Sequence, residues 1–351
     1  MSKKFILVIG ATGAQGLAVI DGLLAQSADG TPSPYAIRAL SRNPDSARAN
    51  GLRSKGVQVV KGNTTDLSSV AAALDGVYGV FVNTDSETMG EQLETYIGIR
   101  IFELATTIKS IRHYVWSGLD YAWRDTGYNP LYQASQYTGK ARVTEFMKAQ
   151  PSVVSETELS WTAITTGPYM EMLKMFMFGP VKRPDGTFVF AAPMGDGHVP
   201  MIALADIGFF ARYAFDHRAL TSGQELKVAS EVVGWEDVVS TFTRVTGHPA
   251  VFKRLSIEGW MDLFDEATLR TPFGGGPLTF EENFSGWWRL YRDDVIQRDM
   301  AWIREINPDG YTLERWMREN RYDGSWSDEG VLKRDEDAKG AVIDKEKIAA
   351  A

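Results

Sequence analysis

Short apolar runs alternate with amphipathic segments through the first half of the chain. The apolar runs predict strands at residues 5–9, 35–40, 57–60, 79–82, 113–116 and 161–164. Apolar positions at helical spacing predict helices at 15–26, 47–55, 68–74, 91–110 and 137–149. Because a helix follows nearly every strand, the strands should run parallel with right-handed crossovers. The pattern therefore predicts an α/β fold: a doubly wound parallel sheet of the Rossmann type.

This alternation ends near Gly167. Beyond it the pattern predicts short strands at 188–191 and 199–202, and helices at 205–216, 235–246, 256–264 and 287–303. After Tyr322 the sequence becomes polar and charged. We therefore expect a Rossmann domain over 1–166, a smaller α+β lobe over 167–324 and a loose polar tail over 325–351.

A glycine-rich turn, GATGAQG over residues 10–16, connects the first strand directly to a helix. Such a turn is typical of sites that bind the pyrophosphate of a dinucleotide. Gly10 permits the tight turn, Gly13 lets the backbone approach a phosphate, and Gly16 lets the helix pack close to the strand. The helix N-terminus adds N–H groups and a partial positive charge.

The end of the second strand indicates which dinucleotide is bound. NAD sites usually carry an acidic residue there, whereas this chain has Ser41 and Arg42. A hydroxyl and a guanidinium can hold the 2′-phosphate of NADP(H). The acidic residue Asp45 lies nearby, so NAD(H) is retained as the less favoured cofactor. Alternatively, Arg42 is only a solvated loop residue.

Loops after the next strands should line the same pocket, because ligands lie at the carboxyl ends of parallel strands. Asp66 follows the third strand and either accepts a hydrogen bond from the adenine amine or caps the next helix. Asn83 and Thr84 follow the fourth strand, near the expected ribose and pyrophosphate, and Ser117 ends the fifth, beside the expected nicotinamide.

Together these segments resemble the NmrA-like family of atypical short-chain dehydrogenase/reductases. The resemblance covers about residues 3–320 and rests on the motifs ATGAQG, ALSRNP, GNTTDLSSVAAALDGVYGVFVNT, HYVWSGLD, YTGKARVTEFM, TTGPYMEM and DGHVPMIALADIG. It implies that Lys140 touches the nicotinamide ribose and that the cleft between two lobes holds a substrate or partner. It also implies that NADP(H) is bound by Gly10, Thr12, Gly13, Ala14, Gln15, Gly16 and Arg42.

The catalytic pattern departs from that of ordinary short-chain dehydrogenases, which use Tyr-x-x-x-Lys with a serine. Gln136 stands where that tyrosine would be, four residues before Lys140. The family also resembles plant aromatic ether reductases, and this implies that Lys140 could act as acid or base beside the cofactor. Alternatively, Lys140 could only hold ribose hydroxyls. Tyr137 could substitute for the tyrosine if the helix entrance were shifted, or could simply pack. Ser117 could orient a substrate oxygen or serve only the turn.

Aromatic and methionine side chains follow the fifth and sixth strands. They would give an apolar, adaptable wall for a flat aromatic or polyketide-like substrate, or would simply pack between lobes. The candidate substrate-binding residues are Tyr121, Trp123, Tyr132, Tyr169 and Met170.

Composition argues against several classes of function and site. The 351 residues carry a net charge of -8, without a basic cluster, so binding to nucleic acid or an anionic membrane is not expected. The lack of cysteine excludes disulfides and thiolate catalysis, and the four histidines lack ligand spacing, so no metal site is expected. No apolar run approaches the about 18 residues of a membrane span, and a cytoplasmic or partly nuclear location is expected.

Two functions stay open. One is an NADPH-dependent reductase of a small apolar or aromatic substrate, in which Lys140 assists protonation. The other is a redox sensor that binds NADP(H) and a regulatory protein without turnover, which Gln136 favours.

Overall fold

The structure, a computed structural model, describes residues 3–27, 29–327 and 343–350. Its strands are β1 (Lys4–Ile9), β2 (Tyr35–Ser41), β3 (Gln58–Lys61), β4 (Gly79–Val82), β5 (His113–Gly118), β6 (Ser160–Thr165), β7 (Val181–Lys182), β8 (Phe188–Ala192), β9 (His198–Met201), β10 (Gln224–Lys227), β11 (Glu231–Gly234) and β12 (Ala250–Arg254). Its helices are α1 (Ala14–Leu24), α2 (Ala47–Ser54), α3 (Leu67–Leu74), α4 (Ser86–Thr107), α5 (Ala122–Asp125), α6 (Ser135–Lys148), α7 (Leu204–Asp216), α8 (Arg218–Thr221), α9 (Trp235–Thr246), α10 (Ile257–Met261), α11 (Glu266–Arg270), α12 (Phe280–Arg292), α13 (Met300–Ile306), α14 (Leu313–Glu319) and α15 (Lys345–Ala350).

Contacts group the described residues into two compact units. The first unit comprises the described residues of Met1–Asp120 with Gln136–Thr166 and Ile207–Val228. The second comprises Tyr121–Ser135, Gly167–Asp206 and the described residues of Ala229–Ala351. The assignment of separate cofactor and substrate domains, with a boundary at residue 166, stays a prediction.

The first unit is built on a seven-stranded sheet in the order β10-β6-β5-β4-β1-β2-β3, with parallel pairing throughout. The predicted doubly wound parallel sheet is thereby confirmed. Strand order reverses between β1 and β4, and in such sheets ligands bind beyond the carboxyl ends of the strands at this point. The edge strand β10 was not predicted, because its sequence QELK has a single apolar residue, Leu226.

The core of this sheet explains the near-continuous apolar runs. The described residues of β1, β4 and β5 that face α4 and α6 are buried, among them Ile9, Val82 and Trp116. Ile101 of α4 and Val143 of α6 are fully buried in the same cluster. Strands covered by helices on both faces cannot alternate polar and apolar residues, which is why they read as apolar blocks.

The second unit departs from the predicted helices at one point. The expected helix over 287–303 is wrong, because α12 ends at Arg292 and α13 begins at Met300. Asp294 lies between them with a left-handed φ of 49°, which an α-helix does not tolerate. Asp299 then caps α13, since its side chain accepts a hydrogen bond from the Trp302 N–H.

The chain end also differs from expectation. Residues 345–350 form α15, and Ile343 and Ile348 are buried within the second unit. This stretch departs from the loose tail predicted over 325–351, because two of its apolar side chains are buried. The rest of that prediction at residues 328–342 and 351 lies outside the described residues.

Buried His113 makes the stability of the first unit sensitive to acid. Its imidazole contacts the Ser160 and Thr162 hydroxyls, and burial, aided by the nearby Arg218 charge, lowers its pKa from 6.5 to about 3. Below pH 6.5 His113 is therefore protonated in the unfolded chain, whereas in the folded chain it is protonated only near pH 3 and below. This contribution to stability is complete above pH 6.5 and is lost progressively as the pH falls toward 3.

At pH 5 this linkage should lower the free energy of unfolding by about 2 kcal/mol relative to pH 7. Denaturant unfolding of wild type and His113→Gln at both pH values measures it, because glutamine does not titrate. The loss between pH 7 and 5 should be smaller in the variant by about that amount. Equal losses in both proteins would show that other groups cause the acid sensitivity.

Candidate functional site

The glycine-rich turn lies where strand order reverses. Gly10 has a φ of +79°, and a Cβ there would lie 2.5 Å from the Asn83 carbonyl oxygen. A Cβ at Gly16 would lie 2.2 Å from the Gly10 carbonyl oxygen, to which the Gly13 N–H donates at 3.0 Å. No side chain caps α1 at its N-terminus. A closed turn that leads into a helix start without a side-chain cap suits the pyrophosphate of a dinucleotide. This is the ligand that the sequence motif predicts.

Lys140 lies on the second turn of α6 and is 6% exposed. Its Nζ lies 3.0 Å from both Asn83 Oδ1 and the Thr84 carbonyl oxygen, and 3.1 Å from Thr84 Oγ1. The ammonium also lies 5.4 Å from the centroid of the Trp116 ring. The structure thus brings together three predicted residues from two segments, Asn83 and Thr84 after β4 and Lys140 on α6.

Glu94 completes this cluster, and the sequence analysis missed it. Its carboxylate is fully buried, and Glu94 Oε1 lies 3.1 Å from Lys140 Nζ. The same oxygen accepts hydrogen bonds from Thr84 Oγ1 at 2.6 Å and Ser86 Oγ at 2.8 Å. The site therefore contains a buried ion pair with neutral donors gathered around the carboxylate.

A signal for Glu94 was present in the sequence. On α4 it precedes Ile97 and Ile101 at intervals of three and four residues, so it lies on the buried stripe of the helix. A carboxylate on such a stripe requires a buried partner. The partner could not be identified because Lys140 is 46 residues away in the chain.

Ser117, at the end of β5, is engaged with the glycine-rich turn. Its Oγ donates to Gln15 Oε1 at 2.6 Å, and both side chains are buried. This bond ties the end of β5 to the first turn of α1. Thr12 and Gln15 are buried within the turn itself.

Two of the residues predicted to bind the adenosine part of the dinucleotide, Ser41 and Asp66, form hydrogen bonds with residues close to them in the sequence. Ser41 Oγ donates to the Asn43 carbonyl oxygen at 2.8 Å, whereas Arg42 is exposed. Asp66 caps α3 by accepting from the N–H groups of Ser68 and Ser69, and a hydrogen bond from the Ser68 hydroxyl, together with these N–H bonds, lowers its pKa. Capping was one of the two roles predicted for Asp66, and an adenine contact stays a prediction.

Arg48 is a further basic residue that the sequence analysis did not select. It lies on α2, and its Nη1 donates to the Thr12 carbonyl oxygen at 3.0 Å. A guanidinium therefore sits against the glycine-rich turn. Its position could not be read from the sequence, because it depends on how α2 packs.

Tyr137, the other candidate catalytic residue, is 3% exposed on the first turn of α6, and Gln136 beside it is half-buried. The proton-transfer roles predicted for Tyr137, Ser117 and Lys140 stay predictions.

The candidate substrate-binding residues all belong to the second unit. Tyr121 and Trp123 each meet the Tyr128 ring edge-on, with centroids 6.4 and 5.3 Å apart. Tyr132 donates through its hydroxyl to Asp293 Oδ2 at 2.8 Å. Tyr169 is half-buried, whereas Met170 is fully buried in the core of this unit. Contact of these five residues with a substrate stays a prediction.

Two kinds of feature are absent from the residues that the structure describes, a metal-binding group and a membrane-spanning helix. No group of three or more acidic or histidine side chains within them is placed to hold a metal ion. None of the helices in that part of the chain combines the length and apolar character needed to cross a bilayer.

Comparison with known proteins confirms the family resemblance. The sequence model of the NmrA-like family matches residues 2–273 of the chain. The NmrA-like family domain-containing oxidoreductase malD of Malbranchea aurantiaca is 26% identical over 276 residues, covering 74% of this chain and 78% of malD.

Solved structures share the fold. NmrA, a negative transcriptional regulator in complex with NADP, superposes with a TM-score of 0.69 at 18% identity, covering 91% of this chain and 95% of its own. The NADPH-dependent quinone oxidoreductase of Escherichia coli, complexed with NADPH, gives a TM-score of 0.65 at 18% identity, covering 90% and 99%.

Proposed function

The chain belongs to the NmrA-like family, and on that premise we propose that it is an NADPH-dependent reductase of a small apolar or aromatic substrate. The observation that carries the proposal is the buried Lys140 ammonium against Asn83 and Thr84, since the backbone of Asn83 lies against Gly10 of the glycine-rich turn. That malD is named an oxidoreductase supports it, as does the shared fold with an NADPH-dependent quinone oxidoreductase.

The chain's own residues would bind the cofactor and supply the proton. The glycine-rich turn and the start of α1 would hold the pyrophosphate, and Lys140 would donate hydrogen bonds to the ribose hydroxyls. A bound nicotinamide dinucleotide supplies a hydride, so reducing a carbonyl or an activated alkene further requires one proton. The Lys140 ammonium would donate that proton to the substrate and regain one from solvent.

A preference for NADPH over NADH rests on Arg42 and Arg48. Arg42 is exposed at the end of β2, and Arg48 already contacts the glycine-rich turn. We propose that these two guanidinium groups hold the 2′-phosphate, which is bound most strongly by charge-assisted hydrogen bonds.

Replacing Arg42 by alanine should weaken NADPH binding by about tenfold, the loss of about 1.4 kcal/mol, and leave NADH binding unchanged. Titration of each dinucleotide by nicotinamide fluorescence measures this. Arg100→Ala is the matched control, because Arg100 is an exposed arginine of α4 that pairs with Glu103. An equal loss for both dinucleotides would remove Arg42 from cofactor selection.

We infer that Tyr121 and Trp123 contact the substrate. The edge-to-face cluster of Tyr121, Trp123 and Tyr128 offers a preformed apolar surface. A flat aromatic substrate fits such a surface best.

The reductase proposal is tested by following NADPH oxidation with a panel of quinones, enones, aromatic ketones and imines. Substrate-dependent oxidation by at least one class supports it. Absence of turnover across the panel, with NADPH binding demonstrated in the same samples, would reject a reductase of these substrate classes.

A non-catalytic NADP(H) sensor is the second candidate, and Gln136 favours it because glutamine cannot exchange a proton near neutral pH. The fold shared with NmrA, a negative transcriptional regulator, is consistent with this. A protein partner retained only in the presence of NADP(H) would support the sensor.

A further inference from the structure

Glu94 is the charged group of the candidate site that the proposed function leaves without a task. We propose that Glu94 is the positioning residue for Lys140: its buried charge keeps the ammonium protonated and anchors it at the carboxyl end of β4. This inference rests on the proposed function in one respect, that Lys140 serves a bound dinucleotide.

The number of hydrogen-bond donors supports an anchored lysine. An ammonium has three N–H groups, and four oxygens of Asn83, Thr84 and Glu94 lie 3.0–3.1 Å from Lys140 Nζ. A ribose hydroxyl or a substrate oxygen can therefore be reached only if one present contact is given up. Contacts with neutral oxygens are weaker than the contact with the carboxylate, so the ammonium should turn while keeping Glu94.

The contacts of Glu94 converge on one carboxylate oxygen, Oε1, which faces the Lys140 ammonium and two hydroxyls. An ionised carboxylate only accepts hydrogen bonds, and the Thr84 and Ser86 hydroxyls both donate to Glu94 Oε1. If Lys140 lost its proton, this negative charge would remain buried without a cation, which is costly. Glu94 thus favours a lysine that donates a proton and promptly regains it over one that serves as a resting base.

The other groups near Lys140 do not replace Glu94. Glu91, one turn earlier on α4, pairs with Arg142 of α6 at 2.5 Å, so these two charges compensate each other. From β5 the neutral Trp116 ring faces the ammonium, and Tyr137 lies one turn earlier on α6. Glu94 is therefore the charge whose removal should be felt at Lys140.

Glu94→Gln is the decisive variant, and Glu91→Gln is its matched control on the same helix. Glutamine keeps an acceptor oxygen for the Thr84 and Ser86 hydroxyls, so the fold should persist. The probe is ¹³C NMR of the lysine Cε atoms, with the Lys140 signal assigned by its loss in Lys140→Met. In Glu94→Gln the Lys140 signal should show deprotonation about one pH unit or more below wild type, whereas Glu91→Gln should titrate as wild type.

The alkaline limb of NADPH oxidation against pH should shift by the same amount in Glu94→Gln. An unchanged Lys140 titration in folded Glu94→Gln would overturn the proposal. The NMR titration needs neither cofactor nor substrate, so it decides on Glu94 even if the protein proves to oxidise no NADPH.

Glu94→Asp provides a second, independent test should Glu94→Gln fail to fold. Aspartate keeps the charge but shortens the side chain by one methylene, so Lys140 should stay protonated as in wild type but be displaced. NADPH binding should then weaken by about tenfold. Wild-type NADPH affinity in Glu94→Asp would show that the position of the carboxylate is irrelevant, and the proposal would fail.

Discussion

Gly16→Ala should weaken NADPH binding at least about a hundredfold and lower the free energy of unfolding by roughly 3 kcal/mol. The added Cβ would lie 2.2 Å from the Gly10 carbonyl oxygen and 2.6 Å from Ala11 Cα. Both are backbone atoms, so no side-chain rotation can relieve the clash. The turn must open or α1 must move away from β1, and either change displaces the groups that would hold the pyrophosphate.

Gly51→Ala is the matched control for this variant. Gly51 lies within α2, and a Cβ there would have no heavy atom within 4 Å. Alanine in an exposed helix should be neutral or stabilise by about 0.5–1 kcal/mol. Fluorescence titration with NADPH and denaturant unfolding measure both variants. Wild-type NADPH affinity in Gly16→Ala would show that the glycine-rich turn is not the cofactor site.

The second large effect concerns the buried ion pair. Lys140→Met should lower the free energy of unfolding by about 3–5 kcal/mol, because it leaves the Glu94 carboxylate buried without a cation. The double variant Lys140→Met/Glu94→Gln should recover most of this loss, since it buries no net charge. Denaturant unfolding of wild type, both single variants and the double variant gives the coupling between the two residues.

Turnover should respond differently from stability in the same four proteins. NADPH oxidation should be lost in Lys140→Met and should stay lost in the double variant, although its fold is restored. This separates a chemical role of Lys140 from a structural one. A double variant as unstable as Lys140→Met would contradict the buried pair, and turnover by the double variant would contradict Lys140 as the proton donor.

Local pattern was sufficient to predict the sheet and the glycine-rich turn. Buried parallel strands read as apolar blocks, and each is followed by a helix of clear period, so β1–β6 were found within one or two residues. The edge strand β10 escaped because it buries one apolar side chain. The break between α12 and α13, which contains the left-handed residue Asp294, was not predicted from the sequence.

Some residues of the candidate site could likewise be predicted from local sequence, whereas others depend on how distant elements pack. Positions at strand ends, such as Asn83 and Thr84, follow from the order of elements, since parallel strands present their carboxyl ends at one edge. The pairing of Glu94 with Lys140 depends on how α4 packs against α6, which no local pattern encodes. Arg48 was missed for the same reason.

Preferential binding of NADPH is tested most simply by a fluorescence titration of wild-type protein with NADPH, repeated with NADH. We expect one saturable site for NADPH, bound at least about tenfold more tightly than NADH. Absence of saturable binding by either dinucleotide, in protein shown by circular dichroism to be folded, would contradict the account.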